Sequence, residues 1–221
     1  MKIKIEDIKD GDIFIHNGTE LGTDFRRNRS WIDRKYVWGV INTKTIVINL
    51  FGEPSAGKST AAMDITSRLK RSGINAEYVS EFAKDKVYEQ NPEVFECQEY
   101  IFGKQSFKMN RVRNKVQVIV VDSPLVLTII YNKSKYLGKP FEETVMNTFN
   151  SYDNRNYLLV RNHNYEVSGR FQNEEQAGEV REFLISKLNE FEIPYETATS
   201  SWEDCERIAN EIAKEINGYE Q

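Results

Sequence analysis

The sequence predicts an α/β domain built on a parallel sheet with helices packed on both faces. Three observations lead there. From Thr45 onward, strand-like and helix-like stretches alternate, the pattern that lays helices over a parallel sheet. Val116 to Val121 is a nearly continuous apolar run, as a strand buried on both faces requires. Between an apolar run and a helix-forming run lies a glycine-containing turn, Gly52 to Gly57. That is the strand-to-helix context in which such turns bind phosphate.

In chain order, the first 42 residues differ in character and are expected to form a small β-rich extension, leaving residues 43–221 as the main domain. Ile3 and Ile5, then Ile13 and Ile15, alternate with polar residues across Asp10-Gly11-Asp12, which predicts a β-hairpin. Residues 25–38 mix Phe25, Trp31, Tyr36 and Trp38 with Arg26, Arg27, Arg29, Arg34 and Lys35. Two readings stand for this stretch: aromatics that dock the extension onto the core, or a basic-aromatic grip on single-stranded DNA. Thr45 to Leu50 is the first core strand. Thr60 to Arg71 is the helix behind it, stopped by Ser72-Gly73. Ala76 to Val79 is a short second strand. After Asn91-Pro92 a long helix is predicted to about Asn114, with Val94, Phe95, Ile101, Phe102 and Phe107 for its buried side. Val116 to Val121 is the third strand. Helices are predicted over Leu125 to Leu137 and Phe141 to Asn150, separated by Gly138 and Pro140. A fourth strand at Tyr157 to Val160, a charged helix at Glu174 to Phe191, a fifth strand at Tyr195 to Thr197 and a closing helix at Trp202 to Ile216 complete the domain.

Bulk properties narrow the function classes. A chain of 221 residues holds one full α/β domain with a small appendage. Its 39% apolar and 29% charged residues, both signs interspersed, describe a globular protein and not a disordered one. No apolar run reaches membrane-spanning length, and the N-terminus lacks the apolar core of a secretory signal. A cytoplasmic location is expected. Cys97 and Cys205 fit no metal-ligand spacing and are read as reduced thiols. A net charge of -4 gives no global attraction to nucleic acid.

The chemistry centres on Gly52, Glu53, Pro54, Ser55, Ala56, Gly57, Lys58, Ser59 and Thr60, which fill the G-x-x-x-x-G-K-[ST] pattern. Backbone N–H groups of this loop, at the positive end of the following helix, cradle the triphosphate of ATP in such a motif. Lys58 is expected to reach the β- and γ-phosphates and the Ser59 hydroxyl to ligate Mg²⁺. Asp122 ends the third strand, at the sheet edge where ligands of open α/β folds gather, and is the candidate to complete the Mg²⁺ shell. Its other reading is a cap for a helix starting near Pro124. Glu81 follows the second strand at the same edge and is the candidate general base; Asp85, one turn later, is placed to bind a second hydroxyl. Both are equally the acids expected at a helix N-terminus. Arg161 and Arg170 lie in a polar stretch suited to a lid over the triphosphate, with Arg181 read as structural. Gln98 and Gln105 are seven residues apart, hence on one helix face, and are candidates to bind the acceptor's base or ring.

With these residues assembled, the chain from about Thr45 to Ile216 resembles the phosphate-loop kinases of the nucleoside and nucleotide kinase type. It is most similar to the ribosylnicotinamide kinase domain and to related small ATP-binding kinases of bacteriophages. The resemblance rests on GEPSAGKST at Gly52 to Thr60, SEFAKD at Ser80 to Asp85, VDSP at Val121 to Pro124 and SGRFQNEEQA at Ser168 to Ala177. It implies a five-stranded parallel sheet of order 2-3-1-4-5, with ATP and Mg²⁺ at Lys58 and Ser59. Carboxylates at Glu81 and Asp122 would then stand near acceptor and metal, with a lid arginine at Arg170. The expected activity is transfer of a γ-phosphoryl group to a hydroxyl of a nucleoside-like small molecule. Three alternatives stay open: a nucleoside monophosphate acceptor met by Lys84, Arg111 or Arg113, a hydroxyl of modified DNA, or a nucleotide-driven switch with a protein partner.

Overall fold

The computed structural model describes residues 45–134, 136–162 and 174–218, together with the backbone of four short strands before residue 45. Those strands are β1 (Lys2–Lys4), β2 (Phe14–His16), β3 (Thr19–Leu21) and β4 (Tyr36–Trp38). β1 pairs antiparallel with β4, Ile3 opposite Val37, and β2 with β3, Ile15 opposite Glu20. The β-rich character expected of this region is present; among the described residues Ile3 and Ile15 pair with other strands than each other, while Ile5 and Ile13 of the expected hairpin lie outside the described residues. Alternation marks a strand without naming its partner, and Tyr36-Val37-Trp38 is a richer β-forming run than the one chosen from sequence. Residues 25–35, which carry most of the basic-aromatic stretch, lie outside the described residues.

The main sheet holds five parallel strands, β5 (Ile46–Phe51), β6 (Ala76–Val79), β7 (Val118–Val121), β8 (Asp153–Leu159) and β9 (Glu196–Ala198). Their order is β6-β7-β5-β8-β9, which is the predicted 2-3-1-4-5. Among the described residues seven α-helices connect and cover them: α1 (Lys58–Arg71), α2 (Phe82–Tyr88), α3 (Gln98–Asn110), α4 (Leu127–Ile130), α5 (Gly138–Asn150), α6 (Glu174–Glu190) and α7 (Trp202–Gly218).

Strand alternation sorts the core into two faces. Ile46, Ile48 and Leu50 of β5 point with Val118 and Val120 of β7 towards α1 and α7, meeting Ile65, Leu69, Ile208 and Ile212. Val47, Ile119 and Val121 point the other way, towards Met109 of α3 and Phe141 and Val145 of α5. Phe51 and Leu158 continue that face under α6, against Leu184 and Leu188. Cys205 is a free thiol buried in the first face, and burial pushes it up to about 11; Cys97 is free and half-buried.

Several boundaries depart from the periodicity. The long helix expected after Pro92 is broken at Cys97 into a 3₁₀ turn (Pro92–Glu96) and α3. Phe107, expected in the core, is 67% exposed. α3 turns Ile101, Gln105 and Met109 inward, a spacing of four residues each, which leaves position 107 on the opposite side. The helix expected over Leu125 to Leu137 is a single turn, because Gly138 and Pro140 open α5 instead of separating two helices. Proline belongs in a first turn, where its missing N–H costs nothing. β8 begins four residues earlier than expected, at Asp153, through an asparagine-containing stretch that propensity disfavours.

Candidate active site

The site is built where β5 stops and α1 begins. Gly52, Ser55 and Gly57 all take positive φ, at 151°, 69° and 80°, the alternation of backbone hand that gathers successive N–H groups into an anion-binding concavity. A Cβ on Gly52 would stand 2.9 Å from the carbonyl oxygen of Leu159 and 3.1 Å from the Ala56 Cβ, so β8 presses directly on the start of the loop. Gly57 precedes α1 in the left-handed conformation, and no side chain caps the helix. The first-turn N–H groups of α1 therefore face the loop's own concavity. Lys58 Nζ donates to the carbonyl oxygens of Gly52 and Glu53, each at 2.9 Å, and so lies back across its own loop. Ala56 and Ser55 are buried, Pro54 is half-buried and Thr60 is exposed.

Parallel pairing brings the other expected residues to this edge. Val79 of β6 and Val121 of β7 are register partners, and Asn49 of β5 is aligned with Val121. Ser80 and Asp122, the next residues of their strands, therefore emerge side by side below the loop. Asp122 is 1% exposed. Its Oδ2 accepts from Ser59 Oγ at 2.6 Å and from the Tyr78 hydroxyl at 2.6 Å. Among the described residues its buried Oδ1 has no hydrogen-bond partner. The capping alternative for Asp122 is excluded, since the cap position of α4 is Val126, without a side-chain bond. A buried carboxylate oxygen without a donor, beside a hydroxyl already bonded to the same carboxylate, is a pair of hard oxygen ligands that fits Mg²⁺. Burial first, and then the bond to Asp122, hold the Tyr78 phenol well above the usual tyrosine value.

Glu81 stands at the N-cap of α2, where its side chain makes no capping bond. Its charge is felt by two phenols: with burial as the larger cause, it pushes Tyr131 up to about 12, and it contributes to the rise at Tyr78. The Ser80-Glu81 turn is tied down by Lys108 of α3, whose Nζ donates to Ser80 O at 2.5 Å and to Ser80 Oγ at 2.9 Å. Asp85 is exposed. Gln98 and Gln105 are both buried in α3. Gln98 Nε2 donates to Phe95 O at 2.8 Å, and Gln105 Oε1 accepts from the Phe82 N–H at 3.1 Å. Gln105 Nε2 is buried, without a hydrogen-bond partner among the described residues.

Arg161 follows β8 and pairs with Glu53 of the loop, Nε to Oε1 at 3.4 Å, with Glu53 only 5% exposed. Arg161 thus lies beside the loop. Arg170 and most of the stretch read as a lid lie outside the described residues. Arg113 belongs elsewhere: it donates to Ser151 O at 2.6 Å and lies over the Tyr152 ring, next to the start of β8 and so at the opposite edge of the sheet. It does not meet an acceptor's phosphate at the loop. Sequence reasoning missed Tyr78, Lys108 and Tyr131. Tyr78 reads as one more strand aromatic and Lys108 as one more surface lysine, so no local signal marks either.

Over residues 47–204 the sequence matches the family described as an AAA domain. No curated protein matches it. Among solved structures the chain is similar to deoxyadenosine kinase from M. mycoides with bound dATP, at 18% identity over 75% of this chain and 98% of that one, TM-score 0.49. It is also similar to the APS kinase CysC of Mycobacterium tuberculosis, at 17% identity over 65% of this chain and 99% of that one, TM-score 0.36. The family match supports the phosphate-loop domain read from the sequence and specifies no particular kinase. With its loop at the end of β5, the serine-aspartate pair behind it and a match over most of its length, the chain belongs to the AAA domain family.

Proposed function

We propose that the chain is an ATP- and Mg²⁺-dependent phosphotransferase that moves the γ-phosphoryl group to a hydroxyl of a nucleoside-like acceptor. The observation that carries this reading is the second carboxylate. Glu81 leaves β6 next to the strand whose end carries Asp122, and its charge reaches both Tyr78 and Tyr131. A protein that only binds or hydrolyses nucleotide needs the serine and aspartate. A carboxylate on the neighbouring strand end, spared from capping its own helix, suits an acceptor hydroxyl.

In this reading the loop N–H groups of Glu53 to Ser59 hold the phosphates, and Lys58 exchanges the carbonyls of Gly52 and Glu53 for phosphate oxygens. Ser59 and Asp122 would hold Mg²⁺, which would supply positive charge against that developing during phosphoryl transfer. Glu81 takes the proton of the acceptor hydroxyl as its oxygen bonds to the γ-phosphorus; the bond from that phosphorus to the β–γ bridging oxygen breaks, and ADP leaves. Arg161, held by Glu53, supplies positive charge beside the loop, and Arg170 is assigned to the lid on sequence alone. Asp85 is the candidate for a second acceptor hydroxyl. Gln105 Nε2, without a partner among the described residues, is an amide donor for the acceptor's ring, whereas Gln98 supports the 3₁₀ turn before α3.

Transfer from γ-labelled ATP to a panel of nucleosides, ribosylnicotinamide, nucleoside monophosphates and single- and double-stranded DNA tests this. Label is expected on a nucleoside-like acceptor. Lys58→Ala should abolish it with the fold intact, and Glu81→Gln should lower turnover by about 10² to 10⁴-fold with ATP affinity retained. Slow phosphate release with no labelled acceptor would replace the kinase reading with a nucleotide-driven switch.

A further inference from the structure

Tyr78 sits within β6, outside the phosphate loop and outside every motif in the sequence, yet its hydroxyl ends on the same oxygen as the loop's serine. The carboxylate torsion of an aspartate is broad and roughly two-fold, so packing alone fixes it poorly. Two short bonds to a charged oxygen, from α1 and from β6, fix it well. Oδ2 is thereby committed and Oδ1 is the oxygen left over. With Asp122 1% exposed, bulk water replaces neither donor.

The geometry points to Tyr78 as a positioning residue that holds the Asp122 carboxylate so that Oδ1 is presented to the divalent ion of the nucleotide. This rests on reading Ser59 and Asp122 as the Mg²⁺ site. Ser59 does not do the same work alone. Its hydroxyl must turn a lone pair to the ion, and it sits at the first turn of α1, against the ligand. Tyr78 is anchored on a strand whose ladder with β7 sets its backbone opposite Val120, although its hydroxyl also interacts with that of Ser59. Its bond to Asp122 is thus held from β6, whereas that of Ser59 is held from the turn that meets the ligand. A half-buried phenol also needs a partner simply to satisfy its hydroxyl, but that role would affect the fold as a whole and would not separate metal binding from nucleotide binding. The ring packs against the α1 face of the core and borders a surface cleft of about 490 Å³ lined also by Met63, Thr66, Lys70 and Arg71. Phenylalanine would keep those contacts.

The test is titration of a fluorescent ATP analogue, mant-ATP, onto the full chain in EDTA and across a magnesium series. Tyr78→Phe should leave affinity in EDTA within about twofold and move the magnesium midpoint upward by about tenfold. Tyr78→Leu should move that midpoint by the same factor, because the hydroxyl and not the ring serves Asp122. In an Asp122→Asn background Tyr78→Phe should add nothing, as expected of two groups that act as a unit. Equal weakening with and without magnesium, effects that multiply with those of Asp122→Asn, or loss of the folded state in both Tyr78 variants would overturn the assignment. Wild-type binding that ignores magnesium would overturn the metal-site reading and this inference with it. None of these outcomes depends on whether an acceptor is ever phosphorylated.

Discussion

Single residues in this chain are constrained less by their type than by what stands next to them. Gly52 illustrates this: the neighbour that forbids a side chain is the Leu159 carbonyl, 107 positions further along the chain and brought there by the pairing of β5 with β8. Because the obstacle is backbone, it yields little, and φ of 151° is itself unfavourable for other residues. Gly52→Ala should therefore cost about 1 to 3 kcal/mol and weaken mant-ATP binding together. Gly103, inside α3 with nothing within 4 Å of an added Cβ, should behave oppositely. Gly103→Ala should stabilise by about 0.5 to 1 kcal/mol. Urea unfolding of both variants, read at unchanged slope, checks the pair. Equal destabilisation by the two would mean that the Leu159 contact does not decide the matter.

Among the elements, β8 is the one that propensity alone does not explain. Its first half, Asp153 to Asn156, is polar, yet it is paired with a fully buried strand of the sheet. The reason is a chain of amides. Asn49, 0% exposed in β5, donates from Nδ2 to Asn154 Oδ1 at 2.8 Å and to Asn156 Oδ1 at 3.0 Å. Asn154 passes on to Phe149 O at the end of α5, and Asn156 to Pro194 O before β9. A slip of one residue would turn these side chains to the other face, so the network specifies register where hydrophobic alternation is missing. Asn49→Ala leaves two asparagine oxygens without their donor and should cost about 1 to 3 kcal/mol, read as a lowered thermal midpoint. A neutral result would show that the apolar half of β8 sets the register unaided. The same pairing delivers Arg161 to Glu53, so a loosened β8 should also weaken nucleotide binding.

On the scale of the molecule, the three apolar clusters are built, among the described residues, from side chains between Ile46 and Ile216, and the five-stranded sheet is made of β5 to β9, while the described strands β1 to β4 pair with one another. A chain lacking residues 1–42 should therefore unfold cooperatively and bind mant-ATP as the full chain does. If the extension docks on the core, its removal lowers the thermal midpoint and reduces transfer to every acceptor alike. If it grips DNA, only DNA binding suffers, with a shallower salt dependence. Among the described residues no helix is long and apolar enough to cross a membrane.

The phosphate loop, the alternation that makes a parallel sheet, and the strand ends followed by Glu81 and Asp122 are all legible in the order of residues. These are local: each follows from periodicity or from residue types at fixed spacing, which a chain shows before it folds. The order 2-3-1-4-5 came with the family resemblance and not from any periodicity in the chain. The rest follows from how the elements pack. Which donors reach Asp122, that Lys108 secures the Ser80 turn, that Phe107 faces out while Gln105 faces in, and that β1 pairs with β4 all depend on which strands and helices lie side by side. Such contacts join residues far apart in the chain, and neither period nor composition records them.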